Sequence, residues 1–253
     1  MGLINSTNKN IVDKDLLQSI TIKEKIGNGA YGSVFHICIY KDCKYILKEI
    51  EYNKKNEKYF MNEIDNQNIL HKKYPKNIPK IKTYYKDKKE NKTYLYIIMD
   101  YLKNYITLDK YLHNNKDSKN NINNCITILQ KIITLVGKIN YYDNFIHGDL
   151  HPANIMINKT GTNFYLIDFG YSVNFNIKNS ININNIPIYL KNSFDSYILI
   201  HNLHDYFNID DNILRILLLP NIKNYLNNYS IINDGEKWFN ISENRLNRLK
   251  RYN

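Results

Sequence analysis

A chain of 253 residues is long enough to bury a substantial core, as one large domain or two closely packed lobes, which excludes a peptide-scale module. Apolar residues make up 43% and charged residues 23%, ordinary for a globular protein, while the 23 Tyr and the runs of Asn, Lys and Ile follow AT-rich codons and carry no mechanism. The formal net charge of +11 favours acidic partners such as nucleotides, acidic protein segments or anionic membrane surfaces; its lysines are spread along the whole chain as on a solvated surface, and no segment reads nucleic acid directly.

Cys38, Cys43 and Cys125 form no CxxC and have no companion His cluster. The expectation is neither a disulfide framework nor a zinc site, in a reducing compartment. No apolar stretch approaches the roughly 18 residues of a membrane span, and the N-terminus lacks the apolar core of a signal peptide, so a soluble protein is expected. The start, Met1-Gly2-Leu3-Ile4-Asn5-Ser6, matches the myristoylation pattern, in which Gly2 would carry an acyl chain able to support weak membrane association.

In chain order, residues 1–14 are polar and Asn-rich and read as a flexible lead. Ile20-Thr21-Ile22, Ser33 to Ile39 and Lys44 to Lys48 read as three antiparallel strands, the first pair joined by a Gly-rich turn and the second by Lys41-Asp42. Residues 54–72 place Phe60, Ile64 and, with a slip, Ile69 at near-helical spacing. Strands are expected at Ile78 to Ile81 and Tyr94 to Met99. The composition then breaks at Lys103-Asn104, and the Asn-rich stretch 114–124 reads as a loop insertion. A long helix follows over 122–142, with Ile126, Leu129, Ile133, Val136 and Ile139 on its apolar face. The rest reads as mainly helical, interrupted by strands at Ile155 to Ile157 and Phe164 to Ile167 around a Lys159-Thr160-Gly161 turn. Trp238 to Asn253 is a basic amphipathic stretch, read first as a terminal helix covering the core.

Chemistry is concentrated in four places. Gly27-Asn28-Gly29-Ala30-Tyr31-Gly32-Ser33-Val34 lies between strands, where glycines let backbone N–H groups approach phosphate oxygens and Val34 can lie against a purine. Lys48 ends an apolar strand as a point charge suited to the α- and β-phosphates, and Glu63 on the next helix is the candidate carboxylate to hold it. His147-Gly148-Asp149-Leu150-His151-Pro152-Ala153-Asn154 puts Asp149 and Asn154 five apart on a loop between helix and strand. One can orient a hydroxyl nucleophile while the other holds a metal. Asp168, in Asp168-Phe169-Gly170, follows a second apolar strand and can hold Mg²⁺; a set of oxygen donors suits Mg²⁺ and not zinc.

In this order and spacing the motifs resemble the protein kinase signature over roughly residues 20–200. The resemblance implies a bilobal α+β fold, with a five-stranded antiparallel N-lobe sheet and one helix over 15–102 and a mainly helical, reduced C-lobe over 103–253. It implies ATP and Mg²⁺ as cofactors and a protein hydroxyl as acceptor. It makes Met99 the gatekeeper, Asp100 to Leu102 the adenine-binding hinge, Val34, Ile46 and Met156 the apolar sandwich around adenine, and Asp195 a brace beneath the catalytic loop. The codon bias fits a large DNA virus or an AT-rich eukaryote, and the cytoplasm, the host's in the viral case, is the expected location.

The pattern departs in places. Gly148 replaces the Arg that clamps a phosphorylated activation loop, so switching by such phosphorylation is not expected. His151 replaces the Lys of Ser/Thr kinases, and the loop is also similar to aminoglycoside and choline phosphotransferases. Between Gly170 and Asp195 there is only Ile186-Pro187-Ile188 and no Ala-Pro-Glu. Gln67 stands where the family places an apolar residue, which leaves two alternatives: a slightly rotated helix, or Glu57 in place of Glu63. A Ser/Thr protein kinase is the first reading, a small-molecule kinase the second and a pseudokinase scaffold the third.

Overall fold

The alternating apolar residues of the first hundred positions assemble into one antiparallel sheet. The computed structural model describes residues 18–29, 32–115, 119–176, 195, 196, 199 and 202. The N-terminal lead with Gly2, the loop tip at Ala30 and Tyr31, Ile186-Pro187-Ile188 and the basic C-terminal stretch lie outside the described residues. The chain divides into two compact units between Lys103 and Asn104.

In the first unit, β1 (Ile20–Gly29), β2 (Gly32–Ile39), β3 (Asp42–Glu51), β4 (Ile81–Lys89) and β5 (Lys92–Asp100) form a sheet in the order β1-β2-β3-β5-β4. The β2–β3 connection turns on Tyr40 and Lys41, both at positive φ, and β4–β5 turns on Glu90 and Asn91 in the same way. Two consecutive left-handed residues match the right-handed strand twist and close tight hairpins. The fold is α+β, with α1 (Lys54–Lys73) packed on one face of the sheet.

Asn53 starts α1 by accepting the Asn56 amide at 2.8 Å, and Glu57 in the first turn with His71, Lys72 and Lys73 in the last complements the helix dipole. The helix buries Phe60 and Ile64 against Ile50, Ile81, Leu95, Ile97 and Met99. Each of those two side chains contributes about 2 kcal/mol by removal from water. The buried stripe then runs through Gln67 to Leu70 and not to Ile69, which corrects the slipped period. The slip arose because two core positions, Glu63 and Gln67, are polar. On the other face Ile37, Ile39, Leu47, Tyr96 and Ile98 form a second cluster, with Tyr85 stacked on Tyr96 at 4.7 Å.

Two further expectations need correction here. The strand expected from Ile78 starts only at Ile81, because residues 74–80 turn: the Asn77 and Ile78 amides donate to the Tyr74 carbonyl, and the His71 ring bonds the Ile78 carbonyl at 2.8 Å. Cys38 and Cys43, expected as free thiols, are joined by a disulfide. The β2–β3 register shift between Ile37 and Ile39 brings two residues five apart across the hairpin, a proximity that no CxxC pattern signals. Cys125 stays a buried thiol, and burial raises its pKa.

In the second unit, β6 (Tyr105–Thr107), β8 (Ile155–Asn158) and β9 (Phe164–Leu166) make a small sheet, and β7 (Phe145–Ile146) pairs with β10 (Val173–Asn174). The helices are α2 (Leu108–Asn115) and α3 (Lys119–Tyr142). Residues 119–124 are thus helical, correcting the loop insertion expected over 114–124. Poor Asn propensity yields to the burial of Ile128, Leu129, Ile132, Ile133, Val136 and Ile139 further along the same helix. Among the described residues no helix is long and apolar enough to cross a membrane.

Candidate active site

The first unit carries the glycine hairpin and Lys48. Across β1 and β2, Gly27 faces Val34 and Gly29 faces Gly32. Gly32 is required by packing, because a Cβ there would run into the Glu49 carbonyl and Ile50 backbone; at Gly27 a Cβ would meet nothing within 4 Å. Gly27 therefore leaves open space beside its backbone, as a close-approaching ligand needs. On β3, Lys48 lies opposite Val34 on one side and Ile97 on the other, and Ile46 lies opposite Met99. Strand alternation turns Ile46, Lys48 and Ile50 toward α1. The Lys48 ammonium donates to both oxygens of Glu63 at 2.8 Å. The two side chains are 15% and 4% exposed, so this is a buried pair that solvent screens weakly.

Glu57, the alternative to Glu63, is engaged elsewhere: it accepts from the Tyr52 hydroxyl at 3.1 Å and lies 3.5 Å from Lys86. Gln67 sits in the core behind Met99, its amide nitrogen donating to the Pro79 carbonyl at 2.9 Å and lying 3.8 Å from the Met99 sulfur. Its position one turn beyond Glu63 accounts for the polar residue without rotating the helix. At the end of β5 the Asp100 amide donates to the Lys80 carbonyl and the Tyr101 amide to the Lys44 carbonyl. Of the segment Asp100 to Leu102, two amides are thereby committed to the sheet.

The second unit carries Asp149, Asn154, Met156 and Asp168. The loop from His147 runs into a 3₁₀ turn at Pro152–Asn154, and β8 follows with Met156 paired to Thr107 and Tyr165. The Asn154 amide nitrogen donates to the Asp149 carbonyl at 2.8 Å, which fixes the side chain with its oxygen as the remaining donor atom for a cation. Ile167 donates its amide to the Asn154 carbonyl at 3.0 Å, tying that residue to the strand end just before Asp168. Asp168 has φ 65°, a left-handed conformation uncommon outside glycine but one that Asp tolerates better than most residues. An amide oxygen and a carboxylate brought to adjoining loop ends form a hard oxygen set that fits Mg²⁺.

His147 ties the loop down. Its ring bonds the Ile167 carbonyl at 3.0 Å and lies 4.9 Å from the fully buried Phe169 ring. Its amide and that of Gly148 donate to the two oxygens of Asp195 at 2.7 and 2.9 Å, and the Ser172 hydroxyl donates to its carbonyl at 3.0 Å. Gly148 has φ 81°, and a Cβ there would collide with the Tyr171 carbonyl. Backbone conformation alone thus disfavours an Arg at this place. His151 stands 3.8 Å from Asp149. Burial holds its imidazole below the ordinary value, against the pull of Asp149, so at neutral pH it is not the fixed cation that a Lys would supply.

The family model of the protein kinase domain matches residues 20–190, more than half of the chain. The chain belongs to the protein kinase family. The smooth muscle myosin light chain kinase of Gallus gallus is 28% identical to this kinase over 152 residues, 59% of this chain and 8% of that protein. This kinase thus spans a small fraction of the length of that curated relative.

Sequence reasoning passed over three residues of the loop's support. Asn140 and Ser172 lie outside any motif, and only the break in the α3 apolar stripe at Asn140 could have exposed the first. Gly148 was read as a missing Arg, whereas its positive φ makes it a backbone requirement.

Proposed function

We propose that this kinase is a catalytically active Ser/Thr protein kinase that transfers the γ-phosphate of ATP to a protein hydroxyl, using Mg²⁺. The observation that carries the reading is the contact of Lys48 with both oxygens of Glu63 at 2.8 Å, which holds an ammonium in place as a phosphate contact requires. The backbone of Gly27, Gly29 and Gly32 covers the phosphates. Val34, Ile46 and Met156 would flank the adenine, Met99 is the gatekeeper, and Asp100 to Leu102 form the hinge.

Asn154 and Asp168 would hold Mg²⁺, which would neutralise charge on the phosphates. Asp149 orients the acceptor hydroxyl and takes its proton as the oxygen attacks the γ-phosphorus and ADP leaves. The neutral His151 adds no positive charge beside Asp149, and Lys48 supplies a side-chain cation for the phosphates. A protein acceptor is favoured by the family and by the relative named above; Ser/Thr over Tyr is favoured by the lack of the Arg-containing loop variant of tyrosine kinases.

The test is incubation with labelled Mg-ATP and, separately, generic proteins, aminoglycosides and choline, followed by identification of the phosphorylated residue. Phosphoserine or phosphothreonine supports the proposal. Transfer to a small molecule alone, or no transfer with nucleotide binding intact, would replace it with the small-molecule or scaffold reading.

A further inference from the structure

Asn140 is the fully buried amide of α3, at 0% exposure among Ile132, Ile133, Val136 and Ile139. An apolar residue would extend that stripe at no polar cost, whereas a buried carboxamide is unfavourable unless its groups are bonded. Only one end of it is. The nitrogen donates to the Phe145 carbonyl and to Asp195 Oδ2, both at 2.8 Å, while Oδ1 finds no partner among the described residues. The cost of the unmet oxygen is accepted at a place where the nitrogen joins the loop's entry to its brace.

Asp195 is itself buried, and its other bonds go to the amides of His147 and Gly148. The two amides, on adjacent residues, take one carboxylate oxygen each and hold the group from one side only. A third donor from a rigid helix, placed on Oδ2, sets the Cβ–Cγ torsion and so fixes Oδ1 against Gly148, the residue before Asp149. Asn140 also holds the Phe145 carbonyl, so the same nitrogen secures two points of the chain leading into Asp149.

We infer that Asn140 is a positioning residue for phosphoryl transfer: through Asp195 it sets the backbone that aims Asp149. The role rests on the proposed assignment of Asp149. It touches neither nucleotide nor acceptor, so its loss should act on turnover and not on binding.

The test compares wild type with Asn140→Leu, which keeps the bulk and removes both donors, and with Asn140→Ser, a smaller truncation in case the first does not fold. Turnover is normalised to the folded, nucleotide-binding fraction. The expected result is a fall in kcat of about tenfold, the loss of roughly 1.4 kcal/mol of transition-state stabilisation, with KM for ATP and for the acceptor within about twofold of wild type. A merely structural Asn140 would lower the melting temperature and leave normalised kcat unchanged, and that result overturns the inference. Hydrogen exchange at the His147 and Gly148 amides reads the same coupling without turnover: faster exchange there than in the body of α3 is expected, and an unchanged pattern overturns the inference. Absence of phosphoryl transfer in wild type strikes the functional proposal instead, and the exchange measurement still decides whether Asn140 holds the loop.

Discussion

In the first unit Lys48 sits mid-ladder, paired through β2 and β5, and its ammonium is held by Glu63. In the second unit the loop bearing Asp149 follows the two-residue β7–β10 pairing, and its backbone is held by the side chains of Asp195, Ser172 and Asn154 and by the ring of His147. A ladder distributes its support over many equivalent bonds, so a substitution in the first half removes a chemical group and leaves the frame. Support by individual buried side chains is concentrated, so substitutions far from Asp149 in sequence can remove its geometry.

The largest effect is expected at Asp195. Replacing it by Ala strands the His147 and Gly148 amides, at about 1–3 kcal/mol each, and leaves the Asn140 nitrogen with its Phe145 bond alone, for a total of about 4 kcal/mol. Chemical denaturation should show it, and wild-type stability would break the contrast between the two halves. Lys48→Met is next: it leaves Glu63 as an uncompensated buried charge, about 3 kcal/mol, in addition to losing activity. Adding Glu63→Gln should recover most of the stability and none of the transfer. If the double variant were no more stable than the single one, the pair would not be coupled as its geometry indicates.

Smaller effects separate backbone from side-chain demands. Gly148→Ala forces a Cβ into positive φ and against the Tyr171 carbonyl, at about 2–3 kcal/mol, measurable as a lower unfolding midpoint. Reducing the Cys38–Cys43 disulfide frees a short loop and should cost roughly 2 kcal/mol on the chain-entropy scale, read as a shift in the unfolding midpoint of the first unit on adding reductant. Gln67→Met removes the unmet Oε1 together with the bond to Pro79. Those terms oppose each other in a volume-conserving exchange, so the change should stay within about 1 kcal/mol.

Lys48, Asp149, Asn154 and Asp168 stood out in the sequence as chemically specific residues beside apolar strands or in a tight loop, although Lys48 lies inside β3 and not at the end of a strand as expected. The five-strand sheet was legible because alternation and turn residues coincide along it. The helix over 119–124 was hidden because its Asn-rich first turns are carried by the packing of later residues. The Cys38–Cys43 bridge was hidden because hairpin register, not spacing, brings the sulfurs together. β6, β7 and β10 are two or three residues long, too short for any period to appear. Asn140 and Gln67 read as interruptions of an apolar stripe, and only their partners across the fold, Asp195 and Pro79, give them a reason.

The proposed role of Asp149 is to act on the acceptor and not on the nucleotide. Its most direct test measures Mg-ATP affinity and phosphate transfer to protein side by side in wild type and Asp149→Asn. The account predicts equal nucleotide affinity and a loss of transfer of about 10²- to 10⁴-fold in the variant. Transfer at the wild-type rate by Asp149→Asn would contradict it.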